Sequence, residues 1–250
     1  MLVMGILNVT PDSFADGGRH NDFEAAVARG LEMIAEGVDI IDIGGESTRP
    51  GAERVTEEEE ISRTVPVIKE LAKYGTTISI DTMRASTAEA AVQAGASMIN
   101  DVSAGLADGV MLQTAARLKV SYIAMHWRGH SKDMNSKAVY GDVVSEVISE
   151  LNERIEAALD AGIQKDKLII DPGIGFAKDA EHNWAIIDSI DRFVSMGYPV
   201  LVGASRKRFL GGESPDEREQ ATIELTTRLG ATGIWAVRVH SVKPHKEVLS

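Results

Sequence analysis

Eight short apolar runs recur along the chain, separated by longer segments with helical periodicity. The runs are residues 2–7, 38–43, 76–80, 97–99, 120–125, 168–170, 199–202 and 234–239. They are mostly rich in Val and Ile and do not alternate strictly with polar residues, which is typical of parallel strands buried on both faces. The segments that favour helices are residues 23–36, 57–73, 85–94, 109–118, 143–161, 180–196 and 215–229.

Eight strand–helix units within 250 residues predict a single-domain α/β fold, a (β/α)8 TIM barrel over residues 1–250. A doubly wound open sheet is the alternative. In a barrel the active site lies at the C-terminal ends of the strands. Only residues 240–250 follow the last run, so the eighth helix is expected to be short or truncated.

Helix N-terminal signals support these boundaries. Thr56 with Glu59, and Ser214 with Glu217, place an N-cap residue three positions before a glutamate. The four glutamates at residues 57–60 are therefore interpreted as negative charge at a helix N-terminus rather than as a metal site.

Composition excludes several classes of protein. The chain has no cysteine, which excludes disulfides, thiolate zinc sites and cysteine nucleophiles, and which suits a reducing cytoplasm. Its formal net charge of -12 disfavours nucleic acid and anionic membranes as partners. No apolar stretch approaches the roughly 20 residues that span a bilayer, and the first residues lack the features of an export signal. A cytoplasmic location is expected.

Polar side chains directly follow the apolar runs, and a barrel brings such positions together at one mouth. They are Asn8, Thr48, Arg49, Asp81, Asn100, Asp101, His126, Asp171, Ser205, Arg206, Lys207, Arg238 and His240. Because the set holds many hydrogen-bonding groups, it favours recognition of a ligand as much as proton transfer.

Two aspartates give the clearest indication of what the ligand is. Asp81 and Asp171 each end a buried strand, where a carboxylate needs a hydrogen-bond donor. A ligand with an amidine-like edge, such as a 2-aminopyrimidinone, offers paired N–H donors. The alternative is that one of them pairs only with Lys207 or Arg238. Asn100 can donate and accept at a heterocycle edge, or it can brace a loop.

The basic residues favour an anion. Small residues at 203 and 204 let backbone N–H groups near Ser205 and Arg206 approach a negatively charged group. For Lys207 and Arg238 a functional role is favoured, whereas for Arg208 a surface role is equally expected.

Three further residues allow more than one role. Asn8 is a modest magnesium ligand by itself, but Mg²⁺ often takes one protein oxygen and draws its other ligands from phosphates and water. His126 and His240 could act as acids or bases, although a structural or anion-binding role is favoured. The Gly-rich stretches at 16–18 and 173–176 match neither a dinucleotide fingerprint nor a P-loop, so NAD and ATP are not implied.

Seven motifs in order resemble the dihydropteroate synthases, a family of pterin-binding enzymes of folate biosynthesis. They are MGILNVTPDSF at residues 4–14, DIGGESTRPG at 42–51, SIDT at 79–82, IND at 99–101, DPGIGF at 171–176, GASRK at 203–207 and RVH at 238–240. The resemblance implies a (β/α)8 transferase that joins 7,8-dihydropterin-6-ylmethyl diphosphate to 4-aminobenzoate, giving 7,8-dihydropteroate and diphosphate. It also implies a homodimer.

The resemblance further implies roles for individual residues. Asp81, Asn100, Asp171 and Lys207 would bind the pterin, with Arg238 over its face, and Asn8 would bind Mg²⁺ on the diphosphate. The anion would be held by Arg49, Arg238 and His240, and the aminobenzoate pocket formed by Thr48, Pro50, Phe176 and Ser205. Sulfonamide binding is expected at that pocket. Segments 9–20 and 45–54 would close over the diphosphate.

Two rival functions stay open at this point. A methyltetrahydrofolate methyltransferase would share both aspartates and Asn100, but it has no use for the motifs at 205–207 and 238–240. A non-catalytic pterin-binding paralogue is the other. The chain departs from the family at Ser241, where an aspartate is usual, which concerns the packing of the last helix.

Overall fold

The described strands form one sheet of eight. The computed structural model describes residues 1–10, 18–46, 55–130 and 134–250. Its strands are β1 (Leu2–Asn8), β2 (Ile40–Gly44), β3 (Thr77–Asp81), β4 (Met98–Asp101), β5 (Ser121–Met125), β6 (Leu168–Asp171), β7 (Leu201–Val202) and β8 (Ala236–Val239). All their pairings are parallel, in the order β6-β5-β4-β3-β2-β1-β8-β7. A parallel bridge between Ile170 and Val200 links β6 to the start of β7, so the predicted barrel is confirmed.

Helices follow the strands along the chain. They are α1 (Gly18–Ala35), α2 (Glu57–Leu71), α3 (Ala85–Ala94), α4 (Met111–Leu118), α5 (Val143–Asp160), α6 (Ala180–Asp188), α7 (Ile190–Val194), α8 (Glu217–Leu229) and α9 (Lys243–Glu247). None of these helices combines the length and apolar character needed to cross a bilayer.

The segment predicted as one helix over residues 180–196 is two helices. Ser189 lies between α6 and α7 with φ −110° and ψ 24°, outside the helical region. Ile187 and Ile190 on its two sides both remain buried. Because the apolar spacing continues across Ser189, periodicity alone gives no sign of this break.

The inside of the barrel is apolar toward the N-terminal ends of the strands. Seven strands each contribute one side chain, from among their first three residues, to a buried cluster of Met4, Ile40, Met98, Ile123, Ile169, Leu201 and Ala236. On β3 the polar Ser79 is fully buried instead. A larger apolar layer lies between the strands and the helices. The polar chemistry is therefore left to the C-terminal ends of the strands.

The last of the four glutamates at residues 57–60 has a different role from the one inferred from sequence. Thr56 Oγ1 accepts a hydrogen bond from Glu59 N at 3.2 Å, which confirms the predicted N-cap of α2. Glu60, only 1% exposed, instead forms an ion pair with Arg84 and accepts from Thr87 Oγ1 at 3.2 Å. Its carboxylate joins α2 to α3 rather than acting on the helix end.

Arg84 also joins the two sides of segment 47–54. Its Nη1 lies 2.9 Å from Glu46 Oε2, and its Nη2 donates to Val55 O at 2.6 Å. Val55 N in turn donates to Glu46 Oε2 at 3.2 Å. One guanidinium therefore fixes the residues immediately before and after the segment that contains Thr48, Arg49 and Pro50.

We expect Arg84→Met to destabilise the protein strongly, because it leaves Glu60 buried without its cation. Breaking such a pair costs about 3 kcal/mol of unfolding free energy. Urea unfolding followed by circular dichroism measures the loss. The matched control is Arg117→Met, which removes an exposed pair with Glu89 and should leave the midpoint nearly unchanged. Equal losses in the two variants would contradict this account of the Glu60 pair.

Candidate active site

Three polar residues from the first four strands align near the barrel mouth. Asn8 pairs with Gly44, Gly44 with Asp81, and Asp81 with Asn100 across neighbouring parallel strands. Gly44 lies between two of them, since a Cβ there would be in ordinary contact, at 3.8 Å, with both Asn8 Oδ1 and Asp81 Oδ2. The structure thus brings together the predicted metal ligand and two of the residues predicted to bind a heterocycle.

Arg238 crosses the inside of the barrel and binds two aspartates. Its Nε donates to Asp42 Oδ2 at 2.6 Å, and its Nη2 donates to Asp81 Oδ2 at 2.7 Å. Asn100 Nδ2 donates to the same Asp42 oxygen at 2.9 Å. These bonds connect β8 to β2 and β3. Asp42 orients Asn100 as well as Arg238.

Asp42 is a site residue that the sequence reasoning missed. It is fully buried, and its Oδ1 has no hydrogen-bond partner among the described residues. The available signal was a single acid inside an otherwise apolar strand, where a charge needs a partner. Asp42 supplies the acceptor for both Arg238 and Asn100.

Burial dominates the protonation of Asp81. Desolvation raises the pKa of Asp81 from 3.8 to about 7, with Asp42 adding to the increase, although Arg238 opposes it. The alternative raised from sequence, that an aspartate of the mouth pairs with Arg238, describes the contact that Asp81 makes. A ligand that donates hydrogen bonds to this carboxylate would favour its ionised form.

A second corner of the mouth joins Asp171, Lys207 and Phe176. Gly173 N donates to Asp171 Oδ1 at 2.7 Å, and burial raises the pKa of Asp171 despite that bond and the nearby Lys207. Lys207 Nζ donates to Ile174 O and lies 4.6 Å from the centre of the Phe176 ring. Burial lowers the pKa of Lys207 to about 8, although Asp171 opposes the decrease.

Ser205 and His240 meet where β7 and β8 end. Ser205 Oγ lies 2.9 Å from His240 Nδ1 and accepts from His240 N at 3.2 Å. The neighbouring Arg206 has φ 58° and donates from Nε to Glu219 Oε2 on α8 at 2.5 Å. Ser241 Oγ also donates to Glu219. Arg206 and Ser241 therefore hold the turn against α8.

Two other candidates have structural partners. Asp101 accepts from Tyr122 Oη at 2.7 Å, from Ser103 N at 2.8 Å and from Gly105 N at 2.7 Å, so it braces the loop after β4. His126 is buried between Glu150 and Lys178, in agreement with a structural role. Thr48, Arg49 and Pro50 lie outside the described residues, as does most of segment 9–20.

The described residues contain no group of three or more His, Cys, Asp or Glu side chains that could hold a metal ion. Asn8 offers a carboxamide oxygen at the mouth, 3.8 Å from the point where a Cβ on Gly44 would lie and across from Asp81. A single protein oxygen fits Mg²⁺ only where phosphates and water complete its coordination. The donor set therefore suits a metal carried by a phosphorylated ligand.

Comparisons with known proteins agree along nearly the whole chain. The pattern of the pterin binding enzyme family matches residues 4–240. The dihydropteroate synthase of Mycobacterium leprae (strain TN) is 48% identical over 99% of this chain and 90% of its own length. A solved structure of Xanthomonas albilineans dihydropteroate synthase with 4-aminobenzoic acid is 45% identical with a TM-score of 0.93, over 99% and 90% of the two chains. Another, in complex with 7,8-dihydropteroate, is 42% identical with a TM-score of 0.89 over the same shares.

The fold and the polar mouth define a barrel enzyme, and the chain belongs to the pterin binding enzyme family. Its relatives at 45–48% identity are dihydropteroate synthases. The function predicted from the motifs, a dihydropteroate synthase and therefore a transferase of folate biosynthesis, is confirmed.

The raised pKa of Asp81 gives a test of the site's electrostatics. Because this acid binds its proton more tightly when folded, its contribution to stability is lost as pH rises from the unfolded pKa through the folded one. Asn resembles the protonated carboxyl group, so the stability of Asp81→Asn relative to the parent should increase as pH rises from about 4 to about 7 and then level off. The expected increase is about 4 kcal/mol.

Urea unfolding of both proteins across this pH range measures that difference. Asp166→Asn is the control, since Asp166 is exposed before β6, and its stability should follow the parent at every pH. Parallel pH curves for Asp81→Asn and the parent would rule out a strongly raised pKa at Asp81.

Proposed function

We propose that Asp81, Asn100, Asp171 and Lys207 bind the pterin ring of 7,8-dihydropterin-6-ylmethyl diphosphate inside the barrel mouth. The observation that carries the proposal is the pair of buried carboxyl groups, Asp81 and Asp171, whose pKa values are both raised by burial. Such groups gain most from a ligand that supplies N–H donors in a fixed arrangement, and a 2-aminopyrimidinone edge does so.

Arg238 is close enough to the buried carboxyl groups to contact both the pterin ring and the diphosphate. Gly203 separates it from Asp171, since a Cβ on Gly203 would lie 3.8 Å from Arg238 Cβ and 3.9 Å from Asp171 Oδ2. Its guanidinium is already oriented by Asp42 and Asp81, so no side-chain freedom is lost when a ligand stacks on it. We assign Arg238 to the face of the pterin and to the diphosphate, together with His240 and Arg49.

Asn8 would hold Mg²⁺ through its side-chain oxygen, with the diphosphate supplying further ligands. The ion would neutralise charge on the leaving diphosphate. This assignment is supported by the position of Asn8, which is half-buried at the end of β1 and lies across Gly44 from Asp81.

The 4-aminobenzoate would lie against Phe176 and Ser205, with Thr48 and Pro50 completing its pocket. Support comes from the Ser205 hydroxyl, which His240 fixes at 2.9 Å, and from the half-buried ring of Phe176 beside Lys207. The Xanthomonas albilineans relative was solved with 4-aminobenzoic acid. A sulfonamide, which has the shape of this substrate, would compete for the same pocket.

The residues favour a mechanism in which the C–O bond to diphosphate breaks before the new C–N bond forms. The diphosphate leaves with the electron pair, and Asp81 and Asp171 stabilise the positive charge that develops on the methylene and the dihydropterin. The neutral aromatic amine then attacks the methylene and loses its proton to solvent. Because this amine is already a nucleophile, the site needs no strong general base.

Positional isotope exchange tests the order of these steps. The label is ¹⁸O in the oxygen that joins the methylene to the diphosphate. We expect this label to scramble into non-bridging positions when Mg²⁺ is present and 4-aminobenzoate is absent. Absence of scrambling, combined with a rate strictly proportional to both substrates, would contradict bond breaking before attack.

Diphosphate release tests the site assignment. The parent should release diphosphate only when pterin diphosphate, 4-aminobenzoate and Mg²⁺ are all present. Asp171→Asn should lower the turnover by about 100-fold or more, as removal of a group that stabilises developing charge does. The control Asp166→Asn should retain parental turnover, because Asp166 is exposed and precedes the N-terminal end of β6, opposite the end that faces the mouth. A rate for Asp171→Asn within about threefold of the parent would overturn its assignment.

We also infer a homodimer in the cytoplasm. The inference rests on the family membership and on the absence of cysteine from the sequence.

A further inference from the structure

Lys178 is a half-buried cation with three acceptors, and it lies outside the set of residues assigned to the substrates. Its Nζ donates to Gly173 O at 3.0 Å and to Phe176 O at 3.1 Å, and it lies 2.9 Å from His126 Nδ1. An ammonium group has three N–H donors and no lone pair. All three donors are used when Nδ1 of His126 is the third acceptor.

Burial lowers the pKa of Lys178 to about 7, and in its protonated form this requirement fixes the tautomer of His126. Because Nδ1 accepts, the ring proton must be on Nε2, which then donates to Glu150 Oε2 at 2.9 Å. Burial, with Lys178 adding to it, lowers the pKa of His126 to about 4, so the ring stays neutral at physiological pH. Arg128 in turn donates from Nε to both oxygens of Glu150 at 3.1 Å. The result is a continuous chain from Arg128 to Lys178.

Lys178 binds the loop that connects β6 to α6, and this loop is next to two residues assigned to the site. It begins directly after Asp171, carries Phe176, and includes left-handed backbone at Gly173 with φ 69° and at Ala177 with φ 48°. A Cβ on Gly173 would lie 2.4 Å from His126 O, so the loop packs directly on the residue that supports Lys178. Left-handed backbone at Ala177 is unfavourable unless its surroundings hold it.

Two lysines therefore bind three backbone carbonyls of this loop. Lys178 binds the carbonyls of Gly173 and Phe176, and Lys207 binds the carbonyl of Ile174 between them. Lys207 is assigned to the substrate, so its bond to Ile174 O is open to exchange when a ligand binds. Lys178 has no substrate role assigned to it, so its two bonds to the loop are expected to persist when Lys207 changes partners.

We propose that Lys178 is a positioning residue for the reaction: supported by His126 and Glu150, it holds the loop after β6 so that Asp171 and Phe176 present their side chains to the two substrates. This inference rests on the proposed roles of Asp171 and Phe176. The charged groups around Lys178 are Asp171 from β6, Lys207 from the loop after β7, Arg128 from the loop after β5 and Glu150 from α5.

Lys178→Met tests the inference through steady-state kinetics of the full chain. Small displacements of a positioned group cost up to about 100-fold in rate. We expect kcat/KM for the pterin diphosphate to fall by about tenfold or more and KM for 4-aminobenzoate to rise. Lys178→Arg retains the cation and should recover activity to a level between Lys178→Met and the parent. Lys165→Met is the matched control, because this exposed lysine precedes the same strand and should leave all constants unchanged.

The ¹⁵N NMR signals of His126 supply a second readout, of the ring that Lys178 contacts, and the comparison with Lys178→Arg separates loss of the charge from loss of packing. The parent should show a neutral ring protonated on Nε2 above about pH 5, whereas in Lys178→Met its pKa should rise because a neighbouring positive charge is gone. In Lys178→Arg, which is the fallback if the methionine variant does not fold, the pKa should stay low and kcat/KM should fall only in part.

The outcomes separate this inference from the wider proposal. Suppose that Asp171→Asn loses turnover, but that Lys178→Met keeps both KM values and the acid dissociation constant of His126 within about twofold of the parent. In that case only the positioning role is wrong. If Asp171→Asn also keeps its turnover, the assignment of the site itself is wrong. A Lys178→Arg variant no more active than Lys178→Met would assign the loss to side-chain shape and overturn a role for the cation.

Discussion

The guanidinium of Arg238 between Asp42 and Asp81 is the interaction on which the mouth of this barrel depends. It places one cation against two buried acids, at 2.6 Å and 2.7 Å, and so connects β8 to β2 and β3 across the interior. Asn100 joins the same cluster through Asp42. Below it the barrel is filled by apolar side chains, so these charges have no water from that side and must compensate one another.

The compensation of these buried charges is incomplete, so a substrate that pairs with them can gain binding free energy. Burial raises the pKa of both Asp81 and Asp171, and it lowers the pKa of Lys207 to about 8. In each case burial disfavours the charged form, and a ligand that pairs with the charged group would favour it. A pterin edge would supply donors to the carboxyl groups, and the developing cation would do so more strongly, which is the condition for stabilising a transition state more than the ground state.

The sequence allowed the barrel and most of the mouth to be predicted, because polar residues that end parallel strands must meet. It did not allow the pairing of those residues to be predicted. Asp42 lies inside an apolar run, and nothing local indicates that Arg238, nearly two hundred residues later, binds it rather than an anion alone. Lys178 was missed because its partners are backbone carbonyls and a histidine, which have no distinctive spacing. The break at Ser189 was missed because one residue can leave the helical conformation without changing the apolar pattern.

The central claim is that the buried carboxyl groups of the mouth receive the pterin ring. Calorimetric titration of the chain with a pterin at about pH 6.5, in buffers of different ionisation enthalpy, measures the protons exchanged on binding. Since ligand donors favour the ionised form of Asp81, whose pKa is about 7 without ligand, binding is expected to release protons, and Asp81→Asn is expected to release fewer. Pterin binding with no proton release, or with the same release in Asp81→Asn, would contradict the claim.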